Sequence, residues 1–153
     1  DELNFLHDEV GYNYRLTNLQ AALGLAQMEQ LENFIEIKIR NYIQYKAAVS
    51  GVQGLSLLDF RPDIRSNHWF YSLCCDKPYP LSRDELIEYL GKNSIQARPI
   101  WGLIHEQIPY RGCTAYEIKE AKSYWERVVN LPCSTNLTEE DVDRVVRQLL
   151  SVK

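Results

Sequence analysis

The chain has 153 residues, the length of one domain, and its 45% hydrophobic and 25% charged residues are typical of a globular protein. Its formal net charge of −4 at pH 7 argues against a nucleic-acid binder, because such proteins usually present a basic surface to phosphates. No apolar run approaches the roughly 18–20 residues of a membrane span, and no signal-peptide pattern opens the chain. We therefore predict a cytoplasmic protein without membrane or nucleic-acid partners.

Apolar residues recur at helical spacing over 17–49, which predicts one long helix. Thr17 or Asn18 is suited to cap its start, and Gly51 follows its end. The first half of the helix is rich in small residues, namely Ala21, Ala22, Gly24 and Ala26. This stripe suits either a tight subunit contact or an ordinary core-facing helix, and the pattern alone leaves both interpretations open.

Two strands and a second helix are predicted next. The apolar runs 55–58 and 67–75 favour strands, and the second of these reads as buried. Ser82, followed three residues later by Glu85, has the capping-box spacing that begins a helix. A third short strand is predicted at 95–98, immediately before a proline.

The remainder of the chain combines an irregular loop with two helices. Residues 99–113 mix aromatic, basic and histidine side chains with proline and glycine, which is typical of a functional loop. Helical spacing returns over 116–129, and Thr138 with Asp141 repeats the capping-box spacing before a last helix. Helices with few short strands predict an α+β domain, in which about three strands are covered on one face by helices.

Two polar and aromatic clusters are candidates for chemistry. The first, residues 7–15, contains Asn13 and Arg15, whose amide and guanidinium groups suit a phosphate or a carboxylate. An ion pair of Arg15 with Asp8 or Glu9 at a helix start is the alternative interpretation, and the residues alone favour it.

The second cluster lies in the irregular loop. It contains aromatic rings that can stack on a sugar or a base, and polar groups that can contact phosphates: Arg98, Trp101, His105, Tyr110 and Arg111. The alternative is an aromatic loop packed on its own domain with its charged tips in solvent.

Motifs for several other kinds of chemistry are missing. The sequence contains neither a CxxC pair nor an HExxH zinc motif, and it has no Gly-rich phosphate loop. We therefore expect no metal site. We also expect buried free thiols at the cysteines, which are Cys74, Cys75, Cys113 and Cys133.

A longer pattern runs through the first cluster. Residues 7–24 read HDEVGYNYRLTNLQAALG and resemble a signature of the DegT/StrS family, sugar aminotransferases with the aspartate-aminotransferase-type fold. Residues 97–101, 104–105 and 130–133 resemble further parts of the same family, so the resemblance covers essentially the whole chain. The segment RPIWGLIHEQ, residues 98–107, is similar to the corresponding segment of the subgroup that acts on UDP-linked 4-keto hexosamines of the bacillosamine and legionaminic type.

The resemblance implies a homodimer with active sites at the subunit interface. In such enzymes pyridoxal 5'-phosphate passes an amino group from glutamate to a nucleotide-linked 4-keto sugar. The resemblance assigns Asn13 to the cofactor phosphate and Arg15 to the substrate side of the site. It also implies further substrate-binding residues, which border or shape the sugar-nucleotide pocket: Tyr12, Arg98, Trp101 and His105.

The resemblance also divides the chain into a linker and active-site segment, 1–16, and a small C-terminal domain, 17–153, that begins with the long helix. The family's Schiff-base lysine lies upstream of the 7–24 run, and none of the lysines here has its context, so we expect no catalytic residue in this chain. Because the chain opens in mid-pattern on Asp1, we interpret it as cut from a longer protein whose large cofactor domain is absent. We predict that the isolated fragment neither transaminates nor binds the cofactor stably.

Two alternatives keep the same scaffold. The first is a noncatalytic module that binds a nucleotide sugar or another protein. The second is a fragment of a related cofactor-dependent sugar dehydratase, in which histidine replaces the Schiff-base lysine. The sequence upstream of Asp1 would separate these alternatives.

Overall fold

The computed structural model describes residues 6–152, and within this range it shows an α+β fold, which confirms the predicted class. The helices are α1 (Asn18–Met28), α2 (Leu31–Val49), α3 (Arg83–Lys92), α4 (Glu120–Arg127) and α5 (Glu139–Ser151). The strands are β1 (Leu55–Leu57), β2 (Tyr71–Cys75), β3 (Arg98–Pro99) and β4 (Val128–Leu131). Single 3-10 turns occupy Ile104–Glu106 and Ile108–Tyr110 in the loop after β3.

The strands form one antiparallel sheet in the order β1-β2-β4-β3, with one strand more than predicted. The additional strand is β4, which lies between β2 and β3. Its residues 128–129 were predicted as the end of a helix because they continue the helical spacing. All four residues of β4 are buried, so the strand lacks the polar–apolar alternation that identifies a half-buried strand. The predicted sheet of about three strands is therefore corrected to four over residues 6–152.

Helices α2, α3 and α5 cover one face of the sheet. The core between these layers is formed by fully buried side chains: Tyr45, Tyr71, Leu73, Leu86, Val129 and Leu149. Because side chains alternate along a strand, Ser72 and Cys74 of β2 point to the other face. Part of that face is covered at α4, where Arg127 Nη1 lies 3.3 Å from Cys74 Sγ.

The predicted long helix is wrong in one respect, because it is interrupted at Glu29 and Gln30 and forms two helices. Gln30 has a φ of −111° and a ψ of 4°, and its amide donates to the Gln27 carbonyl, three residues back, at 3.2 Å. Polar residues at this break leave the apolar spacing intact, so the pattern does not reveal it. The environments of the two helices differ: α1 has no buried residue, whereas α2 buries Ile35, Asn41, Tyr42, Tyr45 and Val49.

Local signals at the helix ends are confirmed. Capping boxes begin three helices, with the pairs Thr17–Gln20 at α1, Ser82–Glu85 at α3 and Thr138–Asp141 at α5. Gly51, after α2, has a φ of 86°, in the left-handed region that favours glycine. Among the helices of the described part of the chain, none combines the length and the hydrophobicity that a membrane crossing requires.

Candidate functional site

The segment before α1 contains neither helix nor strand over residues 6–17, and its side chains are exposed. Tyr12 exposes 79% of its surface. Asn13 forms a local turn, in which its Oδ1 accepts a hydrogen bond from the backbone N–H of Arg15 at 2.8 Å. Arg15 has a φ of 75°, in the left-handed region that residues with a long side chain seldom adopt. The turn therefore sets the direction in which these side chains leave the backbone.

The predicted alternative for Arg15, an ion pair with Asp8 or Glu9, is wrong. Over residues 6–152 the structure contains no salt bridge between Arg15 and any carboxylate. The guanidinium is exposed and lies outside the domain's own ion-pair network. Its donors are therefore open to a group that does not belong to these residues.

The second cluster begins on β3. Arg98 pairs in register with Asn130 of β4. Trp101 is 50% exposed, and its ring meets that of Phe70 edge-on, with the centroids 5.1 Å apart. Trp69 lies 6.1 Å from Trp101 and is 62% exposed. Sequence reasoning missed Trp69, because it predicted a buried strand over 67–75, whereas β2 begins only after this residue.

The loop after β3 folds back on itself. Gln107 is buried, and its Nε2 donates to the carbonyl of Gly102 at 3.1 Å. His105 lies in the first 3-10 turn, where its Nε2 is 3.8 Å from the Glu106 carboxylate. A cavity of about 260 Å³ joins this loop to the start of the first cluster, and it is lined by Leu6, His7, Asp8, Glu106, Gln107, Ile108 and Arg111. Tyr12, Asn13 and Arg15 do not line it.

A larger cleft of about 380 Å³ lies where β3, β4 and the start of α5 meet. Arg98 is the one sequence-predicted site residue in its lining. The polar groups that sequence reasoning missed there are Ser94, Gln96, Asn130, Ser134 and Arg144. A signal for Asn130 was present, because it is the one polar residue in the apolar run VVNL.

Lys38 of α2 connects the elements beneath this region. Its Nζ donates to the carbonyl of Trp69 at 3.1 Å and to that of Cys133 at 2.5 Å. It also lies 5.7 Å from the centre of the Tyr71 ring. Burial lowers the pKa of this lysine from its ordinary value. The cation therefore fixes the start of β2 and the end of β4 against α2.

The cysteines are free, and two of them are buried as predicted. Burial raises the pKa of Cys74 to about 11 and that of Cys75 to about 12, which keeps both as unreactive thiols at neutral pH. Cys113 is exposed, so the prediction of a buried thiol is wrong there, and Cys133 is half-buried. In the described part of the chain no group of three or more His, Cys, Asp or Glu side chains is arranged to hold a metal ion.

Known proteins resemble this chain in sequence and in fold. The chain is 31% identical over 152 residues to EpsN of Bacillus subtilis, assigned as a pyridoxal phosphate-dependent aminotransferase. The aligned region covers 97% of this chain and 39% of EpsN. It is 31% identical over 142 residues to the GDP-perosamine synthase of Caulobacter vibrioides, covering 92% and 38%. The structure of DesI with its TDP-sugar product superposes with a TM-score of 0.81 at 25% identity, covering 91% of this chain and 36% of DesI.

More distant relatives include a sugar dehydratase, the dTDP-4-dehydro-2,6-dideoxy-D-glucose 3-dehydratase of Saccharopolyspora spinosa. It is 25% identical over 154 residues, which cover 95% of this chain and 32% of the dehydratase. This chain therefore spans about two fifths or less of the length of the curated relatives that it matches. The profile of one family matches residues 1–150. The chain belongs to the DegT/DnrJ/EryC1/StrS aminotransferase family.

Proposed function

We propose that this chain is the C-terminal domain of an enzyme that transfers an amino group from glutamate to a nucleotide-linked 4-keto sugar, with pyridoxal 5'-phosphate as cofactor. Membership of the family supports this proposal, as does the similarity to a GDP-perosamine synthase that is much longer than this chain. In this proposal the Schiff-base lysine belongs to a preceding domain, and two copies of the whole protein form a homodimer.

The observation that carries the proposal is the exposed turn at Asn13 and Arg15. The Asn13 Oδ1 is occupied by the turn, so its Nδ2 is left as a donor beside the guanidinium. Amide and guanidinium donors at one turn suit an anion that other polypeptide holds in place. We assign Asn13 to the cofactor phosphate and Arg15 to the substrate side of the same site.

The chain's residues fit the phosphate end of the cofactor and not its reactive carbonyl end. Lys38 is the one lysine within residues 6–152 that is not exposed, and its Nζ is committed to two backbone carbonyls. When bound, the cofactor supplies the electron sink for amino transfer. The lysine that carries it would come from other polypeptide, so we expect the isolated chain not to bind the cofactor stably.

The sugar-nucleotide side of the proposed site is the loop after β3. Trp101, together with Trp69, offers exposed indole rings on which a sugar or a base can stack. Arg98 offers a guanidinium for an anionic group of a substrate, and His105 a ring nitrogen for a sugar hydroxyl. Tyr12, on the segment before α1, would close the other side of this pocket.

The test is an assay of the complete protein with glutamate and a panel of UDP-, GDP- and dTDP-linked 4-keto-6-deoxy sugars, with products identified by mass spectrometry. We expect a 4-amino sugar. The substitution Arg15→Lys keeps the charge but removes the planar fork, so kcat/KM for the sugar should fall about tenfold or more. Arg147→Lys, on the exposed side of α5, is the matched control and should leave kcat/KM unchanged.

A second experiment uses the isolated 153-residue chain. Mixed with pyridoxal 5'-phosphate, glutamate and the same sugars, it should form no amino sugar. It should also show no stable absorbance, near the visible edge, from a Schiff base between the cofactor and a lysine. A 3-deoxy sugar from the complete protein would identify a dehydratase instead. Unchanged kinetics in the Arg15→Lys protein would remove Arg15 from the proposed site.

A further inference from the structure

A row of polar side chains crosses three strands on the sheet face opposite the core. Asn130 of β4 is directly paired with Ser72 of β2 on one side and with Arg98 of β3 on the other. Directly paired residues of neighbouring strands project on the same face, with Cβ atoms about 4.5–5.5 Å apart. We call these three residues the polar row, and two of them, Asn130 and Arg98, line the 380 Å³ cleft.

Asn130 is the residue in this row that requires a partner. It is only 7% exposed, and its Oδ1 accepts a hydrogen bond from Ser72 Oγ at 2.8 Å. Its Nδ2 has no hydrogen-bond partner among residues 6–152, yet it is not one of the atoms sealed from solvent in the interior. Because Asn130 lines the cleft and its Oδ1 is bonded to Ser72, the N–H₂ group is the part of this amide that is left to donate to a ligand there. A nearly buried donor without an acceptor is destabilising, and a bound acceptor removes that cost.

The charges of the cleft favour an anion. Arg98 stands beside Asn130 on the row, and Arg144 of α5 lines the cleft as well. Arg144 Nη2 donates to the Asn93 carbonyl at 2.8 Å, which occupies one of its five N–H donors. The one carboxylate in the lining, Asp141, accepts hydrogen bonds from the Thr138 N–H and hydroxyl in the capping box of α5.

The remaining lining is apolar, and it includes Phe70, Pro132 and Leu137. A volume of about 380 Å³ lies inside the range of about 300–1,000 Å³ that is usual for small-molecule sites. An amide and a guanidinium side by side present donors to the two oxygens of a planar carboxylate. The apolar walls suit the methylene chain that joins two carboxylates in a small dicarboxylic acid.

We propose that this cleft binds a carboxylate of a small dicarboxylic acid, with Asn130 Nδ2 and the Arg98 guanidinium as donors. Ser72 is a positioning residue, because its hydroxyl occupies the Asn130 oxygen and thereby turns the amide nitrogen toward the cleft. The biological meaning rests on the proposed function: the amino donor glutamate and its 2-oxo product are dicarboxylic acids of this kind.

The experiment measures binding of glutarate, which cannot react, to the complete protein by calorimetry. We expect the wild type to bind it and Asn130→Leu, of similar size, to bind it about tenfold or more weakly. Ser72→Ala should weaken binding in the same direction, and Ser72→Thr, which keeps the hydroxyl, should restore it. Arg147→Gln, on the outer side of α5, is the control that leaves binding unchanged.

Several outcomes overturn the proposal: no glutarate binding by the wild type, unchanged binding in folded Asn130→Leu and Ser72→Ala, or stronger binding of inorganic phosphate than of glutarate at the same residues. The kinetics separate this proposal from the proposed function. If Asn130→Leu raises KM for glutamate but not for the sugar, the carboxylate site is supported. Amino transfer with an unchanged glutamate KM refutes the site alone. If glutarate binding depends on Asn130 but no transfer occurs, the site stands and the proposed function fails.

Discussion

Asn41 is a fully buried residue of α2 whose side chain works against folding. Neither its Oδ1 nor its Nδ2 has a hydrogen-bond partner in the described part of the chain, and both atoms are sealed from solvent. An amide removed from water without a partner destabilises the folded state by about 1–3 kcal/mol. Asn41→Leu, of similar size, should therefore raise the free energy of unfolding by about 1 kcal/mol or more, measured by urea denaturation.

The control for this substitution is Asn136→Leu, because Asn136 is exposed and its side chain makes no hydrogen bond within residues 6–152. That variant should unfold at the wild-type urea midpoint. If Asn41→Leu lowers the midpoint instead, the amide is hydrogen-bonded in the folded protein, and the two orphaned atoms are satisfied by internal water.

Substitution of Lys38 should have the opposite effect on stability to substitution of Asn41, because the Lys38 ammonium is half-buried but hydrogen-bonded. Lys38→Met leaves the carbonyls of Trp69 and Cys133 without their donor, so we expect a loss of about 1–3 kcal/mol of unfolding free energy at pH 7. Burial lowers the folded-state pKa of Lys38 below its ordinary value of 10.5, so the unfolded chain binds more protons between the two values. The Lys38 contribution to stability therefore rises with pH across that alkaline window.

The Lys38 ammonium also interacts with the Cys133 thiol, so wild-type Lys38 and Lys38→Met are compared in a Cys133→Ser background. Urea unfolding of the two proteins from pH 7 to pH 11 then isolates the Lys38 contribution. The stability difference should widen as pH rises toward the ordinary lysine pKa. A difference that stays constant across this range would mean that burial does not perturb the lysine.

Among the elements, three helices begin with the same capping box but differ in what they bury. α5 buries Val142, Val145, Val146 and Leu149, whereas α1 buries nothing in residues 6–152. Thr138→Ala should therefore lower the free energy of global unfolding by about 1 kcal/mol, the usual effect of losing an N-cap. Thr17→Ala removes the same hydrogen bond but should only fray α1, with the urea midpoint unchanged and faster amide exchange at residues 18–28.

The elements that could be predicted from the sequence are those with a local cause. Capping boxes depend on two side chains three residues apart, so Ser82 and Thr138 identified two helix starts correctly. For α1 the prediction named Thr17 or Asn18 as the cap, and the structure shows Thr17. Strand β4 has a non-local cause: it is a strand because β2 and β3 flank it, and its buried residues show no alternation. The break at Gln30 likewise leaves the apolar spacing unchanged, so the pattern could not predict it.

The candidate site divides in the same way. Arg98 and Trp101 could be predicted, because an irregular loop with aromatic and basic residues is a local signal. For Asn130 the local signal was only a polar residue within an apolar run, and its place beside Ser72 and Arg98 comes from strand pairing with residues far away in sequence. Trp69 looked like part of a buried strand, and only the late start of β2 leaves its ring exposed.

At the scale of the whole molecule, α1 buries none of its residues against the rest of the described chain. It has 11 residues, and isolated helices shorter than about 12–15 residues are marginal in water. Its large apolar side chains are all more than half exposed: Leu19, Leu23, Leu25 and Met28. The small residues between them, among them Gly24, allow another backbone to approach closely. The stability of α1 therefore depends on a surface that residues 6–152 of one chain do not supply.

We accordingly expect the 153-residue chain to self-associate through α1, because exposed apolar patches of this kind tend to find partners. Sedimentation velocity at increasing concentration should show a rising weight-average coefficient. Leu19→Glu together with Leu23→Glu should abolish that rise by placing charges on the patch. Ile43→Glu, which charges an apolar position on α2 that is 58% exposed, is the control and should associate like the wild type. A wild-type chain that stays monomeric at high concentration contradicts this prediction, and α1 would then be covered only by other parts of a longer protein.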